Sequence, residues 1–338
     1  MGNRKPSPTT YSMQQLTKLS LNLLEKSLAP STKRNYEGAF NRYEMFCQCH
    51  SLSPIPLEQE NLILFVTFLS TYSSYSNIKM HLAALRYKSI MRISSSPIPD
   101  FQRLYYVVRG VKRSQGKSCK KPLRAPVTPS MLIMIRSSLF RSTRLYEDKA
   151  MLWAAILTAF FGFLRVSEYT SSHKTKYDPD TTLVFSDVSI KENKAEVNIK
   201  TSKTDPFRQG VVIEIARNGS QLCPVSALSE FLVFRPGIPG PFFRFHNGKF
   251  LTRNDINKVL KESTNNKVNM SSHSLRIGAA STAATMGCPK WLIQFMGRWT
   301  SDCYRDYIRV SSAMISKTSR ALANCNSTNI PIFHPDVQ

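Results

Sequence analysis

This chain is poor in acidic residues for its basic content. Asp and Glu number 22 against 46 Lys and Arg, a formal net charge of +24 over 338 residues. That imbalance exceeds what solubility requires and argues for a polyanionic partner, nucleic acid being the commonest. Long apolar runs are also missing. The longest, "MLWAAILTAFFGFL" at 151–164, is too short to span a bilayer and reads as a buried core helix, so no membrane partner is expected. The first residues carry no apolar segment of secretory type. The start "MGNRKPS" has Pro6 where a myristoylation signal needs Ser or Thr. Cysteine is sparse: seven, scattered at 47, 49, 119, 223, 288, 303 and 325. An odd number in a chain of this size argues against a disulfide framework and for a reducing compartment. "CQCH" at 47–50 has no second Cys/His pair at zinc-binding spacing, and it reads as the end of an amphipathic helix. No Gly-rich loop of the kind that cradles nucleotide phosphates is present.

What is present suffices for two domains, each with its own core. The first third reads as helices. Tyr36, Phe40, Tyr43 and Phe46 form one apolar stripe at helical spacing, and Leu62, Phe65, Val66 and Leu69 form another. "SNIKMHLAALRYKSIMR" follows with Ser76 as its expected N-cap, and "DFQRLYYVVRGVKR" turns Leu104, Val108 and Val111 inward. "RSQGKSCKKPLRAP" then breaks the pattern with five basic residues, no acidic ones and two prolines. It reads as a basic linker whose Arg113, Lys117, Lys120, Lys121 and Arg124 would lie along a phosphate backbone.

A second domain opens at "VTPSMLIMIRSSL", with Thr128 as N-cap and Pro129 in the first helical position. Val/Ile alternation in "TTLVFSDVSI", "KAEVNIKTSK" and "RQGVVIEIA" predicts a small antiparallel sheet. "FFRFHNGKF" predicts a hairpin around Asn247-Gly248, and the chain from His273 reads as helical. The expected architecture is therefore mainly α with a small antiparallel β-sheet. It divides into a helical domain at 1–112, a linker at 113–126, an α+β domain at 127–325 and an irregular tail at 326–338.

The chemistry concentrates in the second domain. Arg165 follows the apolar helix in "FGFLRVSEYTS", with Glu168 three residues on as an ion-pair partner or an orienting group. Lys203 sits in "KTSKTDPFRQG", where one strand turns into the next. His273 and Arg276 in "HSLR" share one face of a helix start, where free N–H groups suit an anion. Two tyrosines, Tyr304 and Tyr307, close the stretch "GRWTSDCYRDYIRV". Each feature alone has a structural explanation: an ion pair, a solvated turn lysine, a packed helical hairpin. Two arginines, a lysine, a histidine and a tyrosine, without a metal-ligand cluster, together fit metal-free phosphodiester transfer through a covalent tyrosine.

In this order the motifs resemble the tyrosine recombinase (phage integrase) family. "FLRVSE" is similar to its first arginine box, "TSKT" to its hairpin lysine, "HSLR" to its His-x-x-Arg box and "GRW…YRDYIRV" to its terminal box. More narrowly, "SHSLRIGAASTAA" with "MGRW" and "YIRV" resembles recombinases of eukaryotic DIRS-type and Crypton-type mobile elements. The resemblance covers Thr128 to Val310 and implies that the helical domain before it clamps DNA. It implies Tyr307, ten residues after Gly297, as the nucleophile, with Tyr304 as a packing residue. Arg165 and Arg276 would grip the non-bridging phosphate oxygens, Lys203 would protonate the leaving 5′-oxygen, and His273 would assist proton transfer. Glu168 would hold its neighbours. The family usually has His or Trp directly after the glycine of the terminal box. Here Arg298 fills the gapless position and Trp299 the next, so either residue takes that role.

The implied activity is site-specific DNA recombination or integration for a mobile element through a 3′-phosphotyrosyl intermediate, with no metal, ATP or other cofactor. A type IB topoisomerase uses nearly the same groups, and a recombinase-derived DNA-binding protein that no longer cuts is a further alternative. The expected partners are double-stranded DNA and three further copies of the chain, a homo-tetramer on two duplexes. The helix at 311–325 is expected to dock on a neighbouring subunit. A nuclear location follows from the eukaryotic resemblance and from basic runs such as "KSCKKPLR".

Overall fold

Hydrophobic stripes organise the first third of the chain into five helices. The structure is a computed structural model that describes residues 11–92, 101–118, 123–201, 205, 209–235, 237–310 and 312–323. Two compact units divide the chain, Met1–Lys121 and Pro122–Gln338. In the first unit α1 (Met13–Lys26) precedes α2 (Pro30–Cys49), α3 (Gln59–Ser70), α4 (Tyr75–Arg92) and α5 (Gln102–Ser118). Helix α2 packs on α4, and α3 on α5. The stripes meet in a core of Phe40, Tyr43, Phe46, Leu62, Phe65, Val66, Leu69 and Ile78. Its rings pack edge-on or tilted, as Tyr43 and Phe65 do at 5.0 Å between centroids. Helix α1 buries no residue and was not expected from the sequence, although Ser12 and Gln15 cap it reciprocally.

Two readings of this unit need correction, and one residue explains both. Ser76 lies inside α4. The helix starts at Tyr75, and Ser74 Oγ accepts from the Asn77 N–H at 3.4 Å. The segment read as linker from Arg113 continues α5 as far as Ser118. Gln115 binds the turn before α4: its Oε1 accepts from the Tyr75 N–H at 2.7 Å, and its Nε2 donates to the Ser73 carbonyl at 2.8 Å. That tertiary anchor overrides the helix-breaking composition of "RSQGKS". Arg113 therefore stands on a helix. Lys120 and Lys121 lie outside the described residues, and so does the side chain of Lys117.

The second unit is built around α7 (Tyr146–Phe161), which is buried at every position from Ala150 to Phe160. It packs against α6 (Pro129–Arg141), α9 (Pro224–Phe234) and α11 (Ser272–Thr285). A helix enclosed on all sides is apolar all round, which is why its sequence shows no helical stripe. Thr128 Oγ1 caps α6 by accepting from the Met131 N–H at 3.3 Å. After the short α8 (Val166–Tyr169), strands β1 (Val188–Ile190), β2 (Lys194–Ile199) and β3 (Val211–Ala216) form an antiparallel sheet in that order. The register pairs Val188 with Val197 and Val197 with Ile213. Only the end of "TTLVFSDVSI" is strand. Phe185–Asp187 is a 3₁₀ turn, closed by Asp187 Oδ2 accepting from the Val184 N–H at 2.8 Å. The hairpin at Asn247-Gly248 is present, with Arg244 bridged to Phe250 and Gly248 at φ +80°.

Helix α10 (Arg253–Glu262) leads into α11, and α12 (Lys290–Met296) follows it. The chain then differs from the helical expectation, because Tyr304 and Tyr307 lie in a 3₁₀ turn, Asp302–Tyr307. The last described element is α13 (Ser312–Ala323), and the tail after it is outside the described residues. Residues 123–128 are extended and belong to this unit. The Ala125 and Val127 N–H groups donate to the carbonyls of Asn269 and Ser274, each at 3.0 Å. Gly278 permits this close approach, since a Cβ there would lie 1.9 Å from the Val127 oxygen. Among the described residues no helix is long and apolar enough to cross a membrane.

Candidate active site

Helix α11 opens with its backbone held on three sides. Ser272 N–H donates to Asn257 Oδ1 at 2.7 Å, Ser271 N–H to Ser274 Oγ at 3.1 Å, and the strap at 125–127 lies alongside. His273 and Arg276 project from this fixed first turn. Small residues follow, Gly278, Ala279, Ala280 and Ser281, and they let the chain close over Arg276.

Arg276 is fully buried. Its guanidinium donates to the Phe163 and Gly297 carbonyls. It lies 4.4 Å from the centroid of the Trp299 ring and 5.5 Å from that of Tyr307. Burial pushes its pKa down to about 10, the Arg165 charge adds to the fall and Glu168 opposes it, so the group stays protonated at neutral pH. Tyr307 is half-buried and completes a ring cluster. Its centroid lies 5.0 Å from that of His273 and 4.8 Å from that of Trp299. One hydroxyl anchors this segment: Ser281 Oγ donates to the Tyr307 carbonyl at 3.1 Å and accepts from the Arg309 N–H at 2.9 Å. Tyr304, by contrast, is buried in the core of the unit, with its ring 6.4 Å from Trp299.

Arg165 caps α8 together with Glu168. Its own N–H donates to Glu168 Oε2 at 2.8 Å, and its Nη1 donates to Oε1 at 3.0 Å. Arg298 Nη2 donates to the same Oε2 at 2.6 Å and Nη1 to the Gly162 carbonyl at 3.2 Å. One buried carboxylate thus serves two guanidiniums from opposite ends of the unit's sequence. Arg298 reaches it from the left-handed region, φ +53°, just past the end of α12. A non-glycine residue there costs on the order of 1 kcal/mol, offset by the ion pair and the carbonyl contact. The turn is tight, since a Cβ on Gly297 would lie 1.7 Å from the Trp299 ring. The two candidates that the sequence left open therefore face different partners: Trp299 the Tyr307 and Arg276 groups, Arg298 the carboxylate.

The electrostatics favour an anion. Four arginines crowd His273. Burial pushes its pKa down to about 4, and the charges of Arg124, Arg276, Arg309 and Arg165 add to that, so the imidazole is neutral at pH 7. Among the described residues, the buried donors Arg276 Nε, Arg309 Nε and Trp299 Nε1 have no acceptor. Buried N–H groups are rarely left so, and phosphate oxygens would supply what is missing. Among the described residues no group of His, Cys, Asp and Glu is placed to hold a metal ion.

Of the sequence-predicted residues, the structure brings together Arg165, Glu168, His273, Arg276, Arg298, Trp299 and Tyr307. Arg124 joins them at His273 instead of standing apart in a linker. Lys203 lies outside the described residues, between β2 and β3. Sequence reasoning missed Arg309 and Ser281. Arg309 carried a signal, a charge in the otherwise apolar "YIRV", whereas Ser281 among the small residues of α11 carried none.

No known protein family's sequence profile matches the chain, and no curated protein sequence does. Solved structures do. An integrase of the transposon Tn1549, in complex with transposon right-end DNA, superposes with a TM-score of 0.59 at 14% identity, over 91% of this chain and 98% of that one. The XerH site-specific recombinase bound to difH substrate gives 0.56 at 15% identity, over 92% of this chain and 85% of its own. A lambda integrase dimer on a COC′ core site gives 0.55 at 14% identity, over 87% and 94%. At these identities the likeness is one of architecture, and it spans both units: the chain has the fold of the tyrosine recombinases.

Proposed function

We propose that the protein is a site-specific DNA recombinase or integrase that cuts and rejoins DNA through a covalent bond to Tyr307. The observation that carries this reading is the placement of Tyr307 against His273, Arg276 and Trp299, beside buried donors that lack acceptors among the described residues. Tyr307 Oη attacks the scissile phosphorus, forms the 3′-phosphotyrosyl bond and releases a 5′-hydroxyl. Arg165 and Arg276 hold the non-bridging oxygens, where guanidiniums stabilise the charge that develops in the transition state. Neutral His273 suits a group that accepts the tyrosine proton. Trp299 offers its Nε1 donor and a wall for the tyrosine ring, and Arg298 steadies Glu168 and through it Arg165. Lys203 is assigned protonation of the leaving oxygen. The reverse attack, by a 5′-hydroxyl of a second duplex, conserves the bond and requires no ATP.

Function in a mobile element, and location in the nucleus, go with this reading. The basic residues from Arg113 to Arg124 would follow the phosphate backbone. The test is direct: the wild-type protein selects a duplex from a random pool, and that duplex is nicked so that the cleaved strand is lost. Tyr307→Phe should bind it unchanged and give no covalent adduct, while Tyr304→Phe should still give one. The opposite result would transfer the role to Tyr304.

Assembly into a tetramer, through α13, goes with this reading. The described side chains of α13 are exposed or partly exposed, with Ile315 57% exposed. A groove of about 910 Å³ between β3 and α12 exposes Trp291, Phe295 and Val212, and Asp205 and Glu214 also line it. The exposed apolar side chains of the groove suit the exposed Ile315, and α13 of a second copy is the assigned occupant. Ile315→Asp should leave DNA binding by single protomers intact and abolish higher complexes on DNA in native gels. Unchanged assembly would remove α13 from the interface.

A further inference from the structure

The cluster around Tyr307 holds more positive charge than one phosphodiester calls for. Arg124, Arg165, Arg276 and Arg309 all act on His273, and Arg165 and Arg298 pair with the Glu168 carboxylate. They fall into two sets. Arg165 and Arg298 are tied to Glu168, and Arg276 is locked between Trp299 and two carbonyls. Arg124 and Arg309 both act on His273, and Arg309 lies two residues after Tyr307. Both come from rigidly held backbone. The strap that carries Arg124 is hydrogen-bonded to Asn269 and Ser274 on either side of His273. Arg309 hangs from Ser281, which also fixes Tyr307 two residues earlier. The Arg309 guanidinium is folded onto its own chain, with Nη1 donating to the Asp306 carbonyl at 2.6 Å, and among the described residues its buried Nε has no acceptor.

The geometry points to a second phosphate site: Arg124 and Arg309 together grip a phosphate next to the scissile one on the same DNA strand, on the His273 side of Tyr307. This rests on the strand-cleavage reading above and adds to it. Arg165 and Arg276 serve the phosphorus under attack, and Arg124 and Arg309 serve its neighbour. Successive phosphates are a fixed distance apart along a strand, so holding the neighbour sets where the scissile phosphate stops relative to Tyr307. In this role the two are positioning residues. The crowding of charge also has a consequence for His273: a phosphate held between Arg124 and Arg309 offsets two of the four charges that press on the imidazole.

The experiment uses the nicked duplex selected by the wild-type protein, with the cleaved phosphate mapped from the adduct. The phosphate on either side is replaced in turn by a neutral methylphosphonate. At one of the two positions the replacement should slow adduct formation by the wild type about ten- to a hundredfold, the size of a lost charge-assisted contact. Arg124→Gln and Arg309→Gln should each show a comparable loss on the unmodified duplex and almost no further loss on the modified one. Arg309→Lys should recover part of the rate. Losses that multiply at both positions, for either variant, overturn the second site, and so does full activity in either Gln variant. A folding defect slows both substrates alike and falls under the first of these outcomes. Absence of any adduct from the wild type would instead overturn the strand-cleavage reading itself.

Discussion

The two units solve the problem of a core in opposite ways. In the helical unit Phe40, Tyr43, Phe65, Val66 and Leu69 are wholly buried, and packed rings and aliphatic side chains fill the space. In the second unit the largest wholly buried side chain is a charged one, Arg276, packed beside the Trp299 and Tyr307 rings and donating to two carbonyls, with its Nε left without an acceptor among the described residues. Burying a guanidinium is costly even when it is hydrogen-bonded, and an apolar residue of similar volume is often no worse for stability. The first core is shaped for the fold alone. The second gives up stability to hold a charge in a dry place, where it acts most strongly on a phosphate.

The contrast can be sharpened by substituting one residue in each. Phe65→Ala should lower unfolding stability by about 3–5 kcal/mol, the cost of an aromatic cavity, as read from chemical denaturation. Arg276→Lys should lower the rate of adduct formation about 10²–10³-fold, comparable to removing one transition-state donor, while the melting temperature moves far less than for Phe65→Ala. A large stability loss with a small rate loss would make Arg276 structural and erase the distinction.

The smallest effect concerns acid. The folded pKa of His273, about 4, lies below its ordinary 6.5, so between these values the unfolded chain binds a proton that the folded chain does not. Stability should therefore fall as the pH drops from 6.5 towards 4 and should not change on this account above 6.5. His273→Gln should flatten the dependence of melting temperature on pH in that window. Parallel curves would show that burial and the arginines beside it do not depress the His273 pKa.

Much of this was legible beforehand, for physical reasons. The stripes at Phe40 and Phe65 announce helices because an exposed helix buries one face. The Thr128-Pro129 cap and the Asn247-Gly248 turn are local chemistry, readable within a few residues. Arg165, His273, Arg276 and Tyr307 were legible as an ordered set, which the fold gathers into one cluster. What could not be read depends on distant contacts. Gln115 extends α5 because it reaches the turn before α4. Arg124 looks like a linker charge until the strap is laid along α11. The choice between Arg298 and Trp299 turns on one left-handed residue that sends the two side chains to different partners. No composition or period records such a turn.

Ser281 sets a boundary in the terminal segment. Its single hydroxyl is bonded to the chain on both sides of Ile308, at Tyr307 and at Arg309. Everything before that point is clamped to the body of the unit, and α13 begins only a few residues after it. The hydroxyl works like a fairlead on a rope: if α13 docks on another copy as proposed, the line inside stays where it is. On the proposed reading, a chain built this way would give its end to a second copy without pulling Tyr307 away from the arginines around it.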